Sequence, residues 1–199
     1  MQQPQPRPTA AQLNQLSKEC HAAARAKGFY DAPALCPLNE RNKYIQRQML
    51  LITREVFEAY EALRTGAVNP KVAYDGEGSY TDYYENHVKG TAAEEFADTA
   101  IRIFDCSGAL SHQYENDIPQ SIYEFYDSSL LQTVDDFFTA MTSLLIHTLQ
   151  EDIASYEHFD KVLCLLYALA DKLGIDMAKA IADKFRYNAT RGYKHGKLY

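Results

Sequence analysis

The sequence predicts an all-α fold in which several helices pack as an antiparallel bundle. Three observations lead to this prediction. Helix-start signals precede segments whose apolar residues recur at helical spacing, strand-like alternation is essentially absent, and the predicted connections between several helices are short. Short connections between amphipathic helices place successive helices side by side in opposite directions.

The composition is that of an ordinary globular protein. The chain has 199 residues, of which 46 % are hydrophobic, and this is enough for one packed domain. Its formal net charge is −7, whereas a general nucleic-acid binder needs a basic surface to displace counterions from phosphates. We therefore expect no stable nucleic-acid partner. A small anionic substrate would need a metal or a locally basic patch.

The cysteines and the N-terminal residues indicate the compartment. The four cysteines are scattered, without the paired spacing of a zinc site or the density of a disulfide scaffold. Residues 1–8 are polar and proline-rich, which predicts a disordered leader and does not match a secretory signal. No apolar run approaches membrane-spanning length. These features predict a cytoplasmic protein without a membrane partner, with a single all-α domain over 9–199.

The first two helices are predicted from their capping signals. The segment Thr9-Ala-Ala-Gln12 is a capping box, which predicts a helix over 10–27 that a glycine ends. Residues 29–37 contain two prolines and are predicted to form a loop. Asn39 is predicted to cap a long helix that runs to Arg64.

A connector and a third long helix follow. Residues 66–90 contain five glycines or prolines and no helical periodicity, so they are predicted to form a connector near a site entrance. The segment Thr91-Ala-Ala-Glu94 is a second capping box, which predicts a helix to about Leu110. The apolar residues of this helix approximate one buried stripe: Phe96, Ala100, Ile103, Phe104 and Ala109.

The C-terminal part predicts three more helices, over 133–150, over 156–173 and from Asp176 to about Asn188. The run from Val162 to Leu169 is apolar on all sides, which suggests more apolar surface than one chain covers. We therefore predict a homodimer or a dimer of dimers.

Two acidic pairs are the candidate site. Glu55 and Glu58, and likewise Glu95 and Asp98, stand three residues apart and so lie on one face of a helix. Each pair repels itself unless a cation lies between its oxygens. If the two helices face each other, four carboxylates converge, and hard oxygen ligands suit Mg²⁺ bound to phosphates.

Neighbouring residues both support and complicate this interpretation. The pairs lie among apolar residues, where unpaired carboxylates cost desolvation energy. Asp105 stands seven residues after Asp98, roughly on the same face, and is a candidate additional ligand or a residue that supports the ligands. The ordinary alternative for acidic residues at i and i+3 is a solvated helix face.

Several segments resemble the MazG-like nucleotide pyrophosphohydrolases. Residues 50–64 look like the first metal-binding helix of this family, with its E-x-x-E motif at Glu55 and Glu58. Residues 94–105 are similar to the E-x-x-D helix, matching Glu95 and Asp98. The resemblance extends to the tail of many compact members at 187–197 and to their helix-ending segment at 26–31.

The resemblance implies a fold, an activity and a set of roles. It implies a MazG-like bundle that hydrolyses nucleoside triphosphates to monophosphate and pyrophosphate with Mg²⁺, or with Mn²⁺ as an alternative ion. Either Glu55 or Glu58 would act on the attacking water. In a basic C-terminal segment, Asn188, Arg191 and Lys194 match the family's tail and are the candidate phosphate-binding residues.

Two departures from the family pattern concern the middle of the chain. Thirty-six residues, 59 to 94, separate the two acidic pairs, more than the family usually has. Residues 111–160 are predicted to form an inserted helical hairpin. This hairpin could bury the apolar run from Val162 to Leu169 within one chain, in place of a second copy.

Two other kinds of protein also use acidic helical bundles. A ferritin-like di-iron protein would need Glu-x-x-His motifs on two helices, and none occurs in the sequence. A non-catalytic nucleotide-sensing or interaction module could keep the same fold without turnover, and its carboxylates would then be dispensable.

Overall fold

The computed structural model describes residues 6–30, 38–119, 130–150 and 156–196, and within these ranges it is all-helical, with no strand. The helices are α1 Ala10–Ala26, α2 Leu38–Arg64, α3 Tyr80–Tyr83, α4 Ala92–Leu110, α5 Val134–Gln150, α6 Tyr156–Leu173 and α7 Met177–Thr190. A π-helical turn, Tyr84–Val88, follows α3, and a 3₁₀ turn, Tyr193–Gly196, follows α7. None of the described helices is both long and apolar enough to cross a membrane.

The predicted helix starts are largely confirmed. The Thr9 hydroxyl accepts from the Gln12 N–H at 3.3 Å, and the Gln12 side chain accepts from the Thr9 N–H at 2.8 Å, which completes the capping box of α1. At α7, the carboxylate of Asp176 caps the helix by accepting from the Lys179 N–H at 2.9 Å. These bonds satisfy backbone donors that a helix start leaves without internal partners.

Two capping predictions need correction. α2 already begins at Leu38, so Asn39 lies inside its first turn and is not its cap. At the start of α4, Thr91 accepts from the Glu94 N–H as predicted, but the Glu94 carboxylate accepts from the Gly90 N–H at 2.6 Å. In a capping box the Glu94 side chain would accept from the Thr91 N–H, so the second bond of the predicted box is formed with the preceding residue instead.

The predicted leader differs from the structure over its last residues. The Arg7 guanidinium donates to Asp171 at 2.7 Å, and the Pro8 carbonyl accepts from the Ile118 N–H at 3.1 Å. Arg7 and Pro8 are therefore held against the domain by specific partners. Residues 1–5 lie outside the described part of the structure.

α4 is the central helix and packs against α1, α2, α6 and α7. Four of the five residues in its predicted stripe are fully buried, and Ala109 is only partly buried near the helix end. The helix approaches α1 most closely at Gly108, where an added Cβ would lie 2.6 Å from the Ser17 carbonyl oxygen. A larger residue there would push the two helices apart.

The connector 66–90 is more ordered than predicted. Ser79 caps α3, accepting from the Asp82 N–H at 3.3 Å, and the π-helical turn continues from it. Tyr84 of this turn stacks on Tyr187 of α7, with ring centroids 4.1 Å apart. Helical periodicity cannot be recognised over so few residues, and the aromatic contact with α7 is tertiary.

α5 and α6 cover the remaining apolar faces. α5 packs on α6 and α2, and Phe138 contacts the rings of Tyr60 on α2 and Phe96 on α4. The described residues of the predicted insertion include α5, but its parts at 120–129 and 151–155 lie outside the described residues.

The apolar run on α6 is covered within the chain. The valine and leucine side chains of this run, Val162, Leu163, Leu165, Leu166 and Leu169, are at most 1 % exposed, and Tyr167 is 5 % exposed. The prediction of an oligomer rests on apolar surface of this run that one chain would not cover. Because the chain itself buries the run, a second copy is not required for that purpose.

Candidate metal centre

α2 and α4 bring three carboxylates together. Glu55 and Glu58 on α2 and Glu95 on α4 each offer one oxygen, and these oxygens all lie within 4.8 Å of one another. We call this group the three-glutamate cluster. A backbone hydrogen bond links the two helices near their ends. The N–H of Ala92, the first residue of α4, donates to the carbonyl of Ala67, three residues after the end of α2, at 2.7 Å. This contact places the start of α4 next to the end of α2.

Glu55 is the buried member of the cluster. Its side chain is 4 % exposed and accepts from Nε of Arg102 at 2.6 Å. Burial raises the pKa of Glu55, and the Arg102 charge opposes this rise. The negative charges of Asp98 and Glu58 raise the pKa of Glu55 further. The carboxylate is thus buried, flanked by like charges and neutralised by one arginine.

Glu58 is the solvent-facing member. Its side chain is 39 % exposed, and its Oε1 accepts from both Nε and Nη2 of Arg54 at 2.8 and 2.6 Å. Arg54 stands four residues earlier on the exposed face of the same helix, an arrangement that contributes only a few tenths of a kcal/mol, ~0.3–0.5. This weak pair leaves Glu58 available to another cation.

Glu95 is the member without an ion-pair partner in the part of the chain that the structure describes. Among the described residues, no hydrogen bond or ion pair reaches its half-buried carboxylate. Burial raises the pKa of Glu95 to about 8, and the charges of Glu94, Asp98 and Glu55 add to the effect. An unpaired carboxylate in this position is stabilised either by a proton or by a bound cation.

Asp98 is beside the cluster but has a different partner. It is not among the three residues whose oxygens converge, and its Oδ2 accepts from Nζ of Lys184 at 2.6 Å. Lys184 is 4 % exposed and also donates to Glu94 at 2.6 Å. Burial lowers the pKa of Lys184, but Asp98 and Glu94 outweigh burial and raise it overall.

The role of Lys184 was missed at the sequence level. It belongs to the basic C-terminal segment but was not selected as a binding residue. The signal that could have found it is its position on the apolar face of α7, between buried Ile181 and buried Tyr187. A lysine on such a face is usually paired with a carboxylate.

Asp105 lies away from the cluster. Its Oδ1 accepts from the Tyr30 hydroxyl at 2.7 Å and lies 3.0 Å from Nδ1 of His21. Seven residues separate it from Asp98, which corresponds to about 10 Å along a helix. The structure therefore assigns Asp105 to a contact between α1 and α4 and does not bring it to the candidate metal site.

The predicted phosphate-binding residues are placed on or just after α7. Asn188 stands one turn after Lys184, and its Oδ1 is buried without a hydrogen bond within the described residues. The Arg191 guanidinium lies 5.6 Å from the ring centroid of Tyr187. The side chain of Lys194 lies outside the described part of the structure.

The fold and the site define an all-helical protein with a candidate carboxylate site for a cation. Comparison with protein-family models gives no match, and comparisons with curated proteins and with solved structures also give no significant match. The function is therefore inferred from the geometry of the site.

Proposed function

We propose that this chain is a Mg²⁺-dependent nucleoside triphosphate pyrophosphohydrolase of the MazG-like type. The observation that carries the proposal is the three-glutamate cluster, in which carboxylate oxygens from two helices lie within 4.8 Å of one another. Like charges so close together repel unless a cation joins them, and Mg²⁺ and Mn²⁺ both prefer oxygen ligands.

The residues present fit such an ion. No described residue pairs with the Glu95 carboxylate, and Glu58 pairs with Arg54 only on a solvent-exposed helix face. The hydrogen bond from Arg102 uses only Oε1 of Glu55, so Arg102 Nε does not occupy its other carboxylate oxygen. The cluster can therefore offer a ligand from each glutamate without breaking a buried ion pair, and Asp98 is the proposed fourth ligand.

The arrangement of the helices supports the MazG-like assignment. The bond from Ala92 to Ala67 joins the end of α2 to the start of α4, while Glu55 pairs with Arg102 further from both ends. These two contacts support an antiparallel α2–α4 pair. In this pair Glu95 faces Glu55 and Glu58, whereas Asp98 contacts Lys184. We propose α5 as part of the inserted hairpin.

In the proposed reaction the chain positions the triphosphate and a water molecule. The bound ion would neutralise charge that develops on the phosphates and lower the pKa of the attacking water. Glu58, the more exposed of the two α2 glutamates, is the better placed to orient or deprotonate that water. Asn188, Arg191 and Lys194 would contact the phosphates, and cleavage between the α and β phosphates would release pyrophosphate.

A specific observation favours the alternative of a non-catalytic nucleotide-sensing or interaction module. Arg102 neutralises Glu55, Lys184 neutralises Asp98 and Arg54 pairs with Glu58, so three of the four proposed ligands already have cationic partners. In that case the acidic residues would be structural ion pairs, and substitution at Glu58 would have no functional consequence.

A turnover assay separates these two functions. The full chain is incubated with Mg²⁺ and a panel of canonical and modified nucleoside triphosphates, and monophosphate and pyrophosphate are measured. Glu58→Gln is expected to abolish turnover while retaining helicity. Glu61→Gln is the matched control, because Glu61 lies one turn further on α2 and its side chain is 61 % exposed. Normal turnover in Glu58→Gln, or no turnover in the unmodified chain with any nucleotide, would overturn the proposal.

We also propose that two or four copies associate, as a homodimer or a dimer of dimers. Leu50 and Phe57 of α2 are 61 % and 55 % exposed, and their spacing of seven residues places them on one face of the helix. Phe57 is next to Glu58, so a second copy on this face would also shield the cluster from water.

A further inference from the structure

Lys184 is a buried cation at the edge of the three-glutamate cluster. Its ammonium group donates to Glu94 Oε1 and lies 2.6 Å from Asp98 Oδ2. Asp98 stands one helical turn after Glu95, so its carboxylate lies on the face of α4 that carries the cluster. Lys184 is therefore in contact with the one acidic-pair residue that the cluster does not include.

The surroundings of Lys184 hold it in this position. Its Nζ lies 5.7 and 5.8 Å from the ring centroids of Tyr84 and Tyr187, which stack on each other. The faces of aromatic rings attract cations, and the aliphatic part of the lysine is buried between elements of the domain. Glu94 has a second anchor, because its Oε2 accepts from the Gly90 N–H.

We propose that Lys184 is a built-in counter-ion that competes with the divalent ion for Asp98. This inference rests on the proposed function. In the ion-free protein Lys184 neutralises Asp98, which would otherwise be an unpaired charge beside Glu55 and Glu95. When a divalent ion binds the cluster, Asp98 exchanges the ammonium group for the ion, and Lys184 remains anchored by Glu94.

Three physical arguments support this exchange. Lys184 holds only one oxygen of Asp98, so the carboxylate can turn between the two cations. The positive charge of Lys184 repels an incoming divalent ion across a partly buried site, where charges interact more strongly than in water. Glu94 keeps the buried lysine paired throughout, so the exchange leaves no isolated buried charge.

The test is the affinity of the full chain for Mn²⁺, measured by electron paramagnetic resonance in the absence of nucleotide. Lys184→Gln removes the charge and keeps a hydrogen-bond donor, and we expect it to bind Mn²⁺ about tenfold more tightly. Lys184→Arg keeps the charge and should bind as the unmodified chain does. Lys179→Gln, on the exposed side of α7, is the matched control and should also leave the affinity unchanged.

A double substitution locates the competition at Asp98. In an Asp98→Asn background, Lys184→Gln should increase the affinity for Mn²⁺ by less than it does in the unmodified chain, because only the repulsion between the lysine and the ion is then removed. An equal gain in both backgrounds would overturn the proposal, because it would show that the lysine acts at a distance and not through Asp98.

The outcomes separate this inference from the proposed function. If the unmodified chain binds Mn²⁺ and Lys184→Gln binds no more tightly, the competition is wrong and the metal site stands. If neither binds Mn²⁺, both are wrong. If Lys184→Gln unfolds without metal, circular dichroism replaces the affinity measurement: folding induced by Mn²⁺ supports the exchange, and a chain that stays unfolded at every Mn²⁺ concentration overturns it.

Discussion

Arg102 of α4 donates from Nε to the buried carboxylate of Glu55 on α2, at 2.6 Å. This ion pair joins the two helices that carry the candidate metal site. It also neutralises the most buried glutamate of the three-glutamate cluster, so the helix contact and the chemistry of the site depend on the same side chain.

Replacing Arg102 should therefore destabilise the protein. Arg102→Met leaves Glu55 buried without its cation, and we expect the free energy of unfolding to fall by about 3–5 kcal/mol, as for other buried pairs that lose one partner. Urea denaturation in a chelating buffer measures this loss. Arg54→Met is the matched control, because the Arg54 side chain is 54 % exposed, and its loss should cost less than about 1 kcal/mol. Equal costs for the two variants would contradict this role of Arg102.

The protein without metal should become less stable as the pH rises. The pKa of Glu95 is about 8 in the folded chain and near 4.5 as an ordinary glutamate. Between these values the folded chain holds a proton that the unfolded chain has released, so the free energy of unfolding decreases with increasing pH. Urea denaturation in EDTA at pH 5 and pH 8 should show a smaller decrease for Glu95→Gln than for the unmodified chain.

Addition of Mg²⁺ supplies a second measurement on the same group. At pH 7 the ion should displace the proton of Glu95, and calorimetry in buffers of different ionisation enthalpy would detect its release. In the urea experiment, an identical pH dependence of the free energy of unfolding in Glu95→Gln and in the unmodified chain would show that Glu95 does not titrate in this range.

Gly108 should tolerate no side chain, because α1 and α4 are in contact there. An added Cβ would lie 2.6 Å from the Ser17 carbonyl oxygen and 2.7 Å from Cβ of His21. Gly108→Ala should therefore destabilise the protein by about 1–3 kcal/mol, as overpacked cores do. Gly192→Ala is the control, since no atom lies within 4 Å of its added Cβ. Thermal denaturation compares the two, and a neutral Gly108→Ala would contradict the close helix contact.

Phe57 should contribute to association between copies. Phe57→Ser removes an exposed aromatic side chain from the proposed contact face, so sedimentation should show a shift toward monomer. Val72→Ser is the control, because Val72 is 53 % exposed but lies in the connector. A monomeric unmodified chain, or equal association in both variants, would contradict the proposed interface.

Local signals predicted much of the fold. Thr9, Thr91 and Asp176 cap helices as their sequence patterns indicate, because a capping bond involves residues only three positions apart. The spacing of Glu55 and Glu58 on one helix predicted a shared face for the same reason. The short helix and π-helical turn between Tyr80 and Val88 were missed, since their contacts with α7 are not encoded by a local pattern.

The sequence by itself determined the long helices and the positions of the acidic pairs on them, because helical periodicity converts a spacing of three residues into a common face. Only the tertiary structure decided which carboxylates converge. It brought Glu95 to Glu55 and Glu58, gave Asp98 to Lys184, and placed Asp105 against His21 and Tyr30. The partner of each charge depends on which helix packs beside it, and a linear pattern of residues does not contain that information.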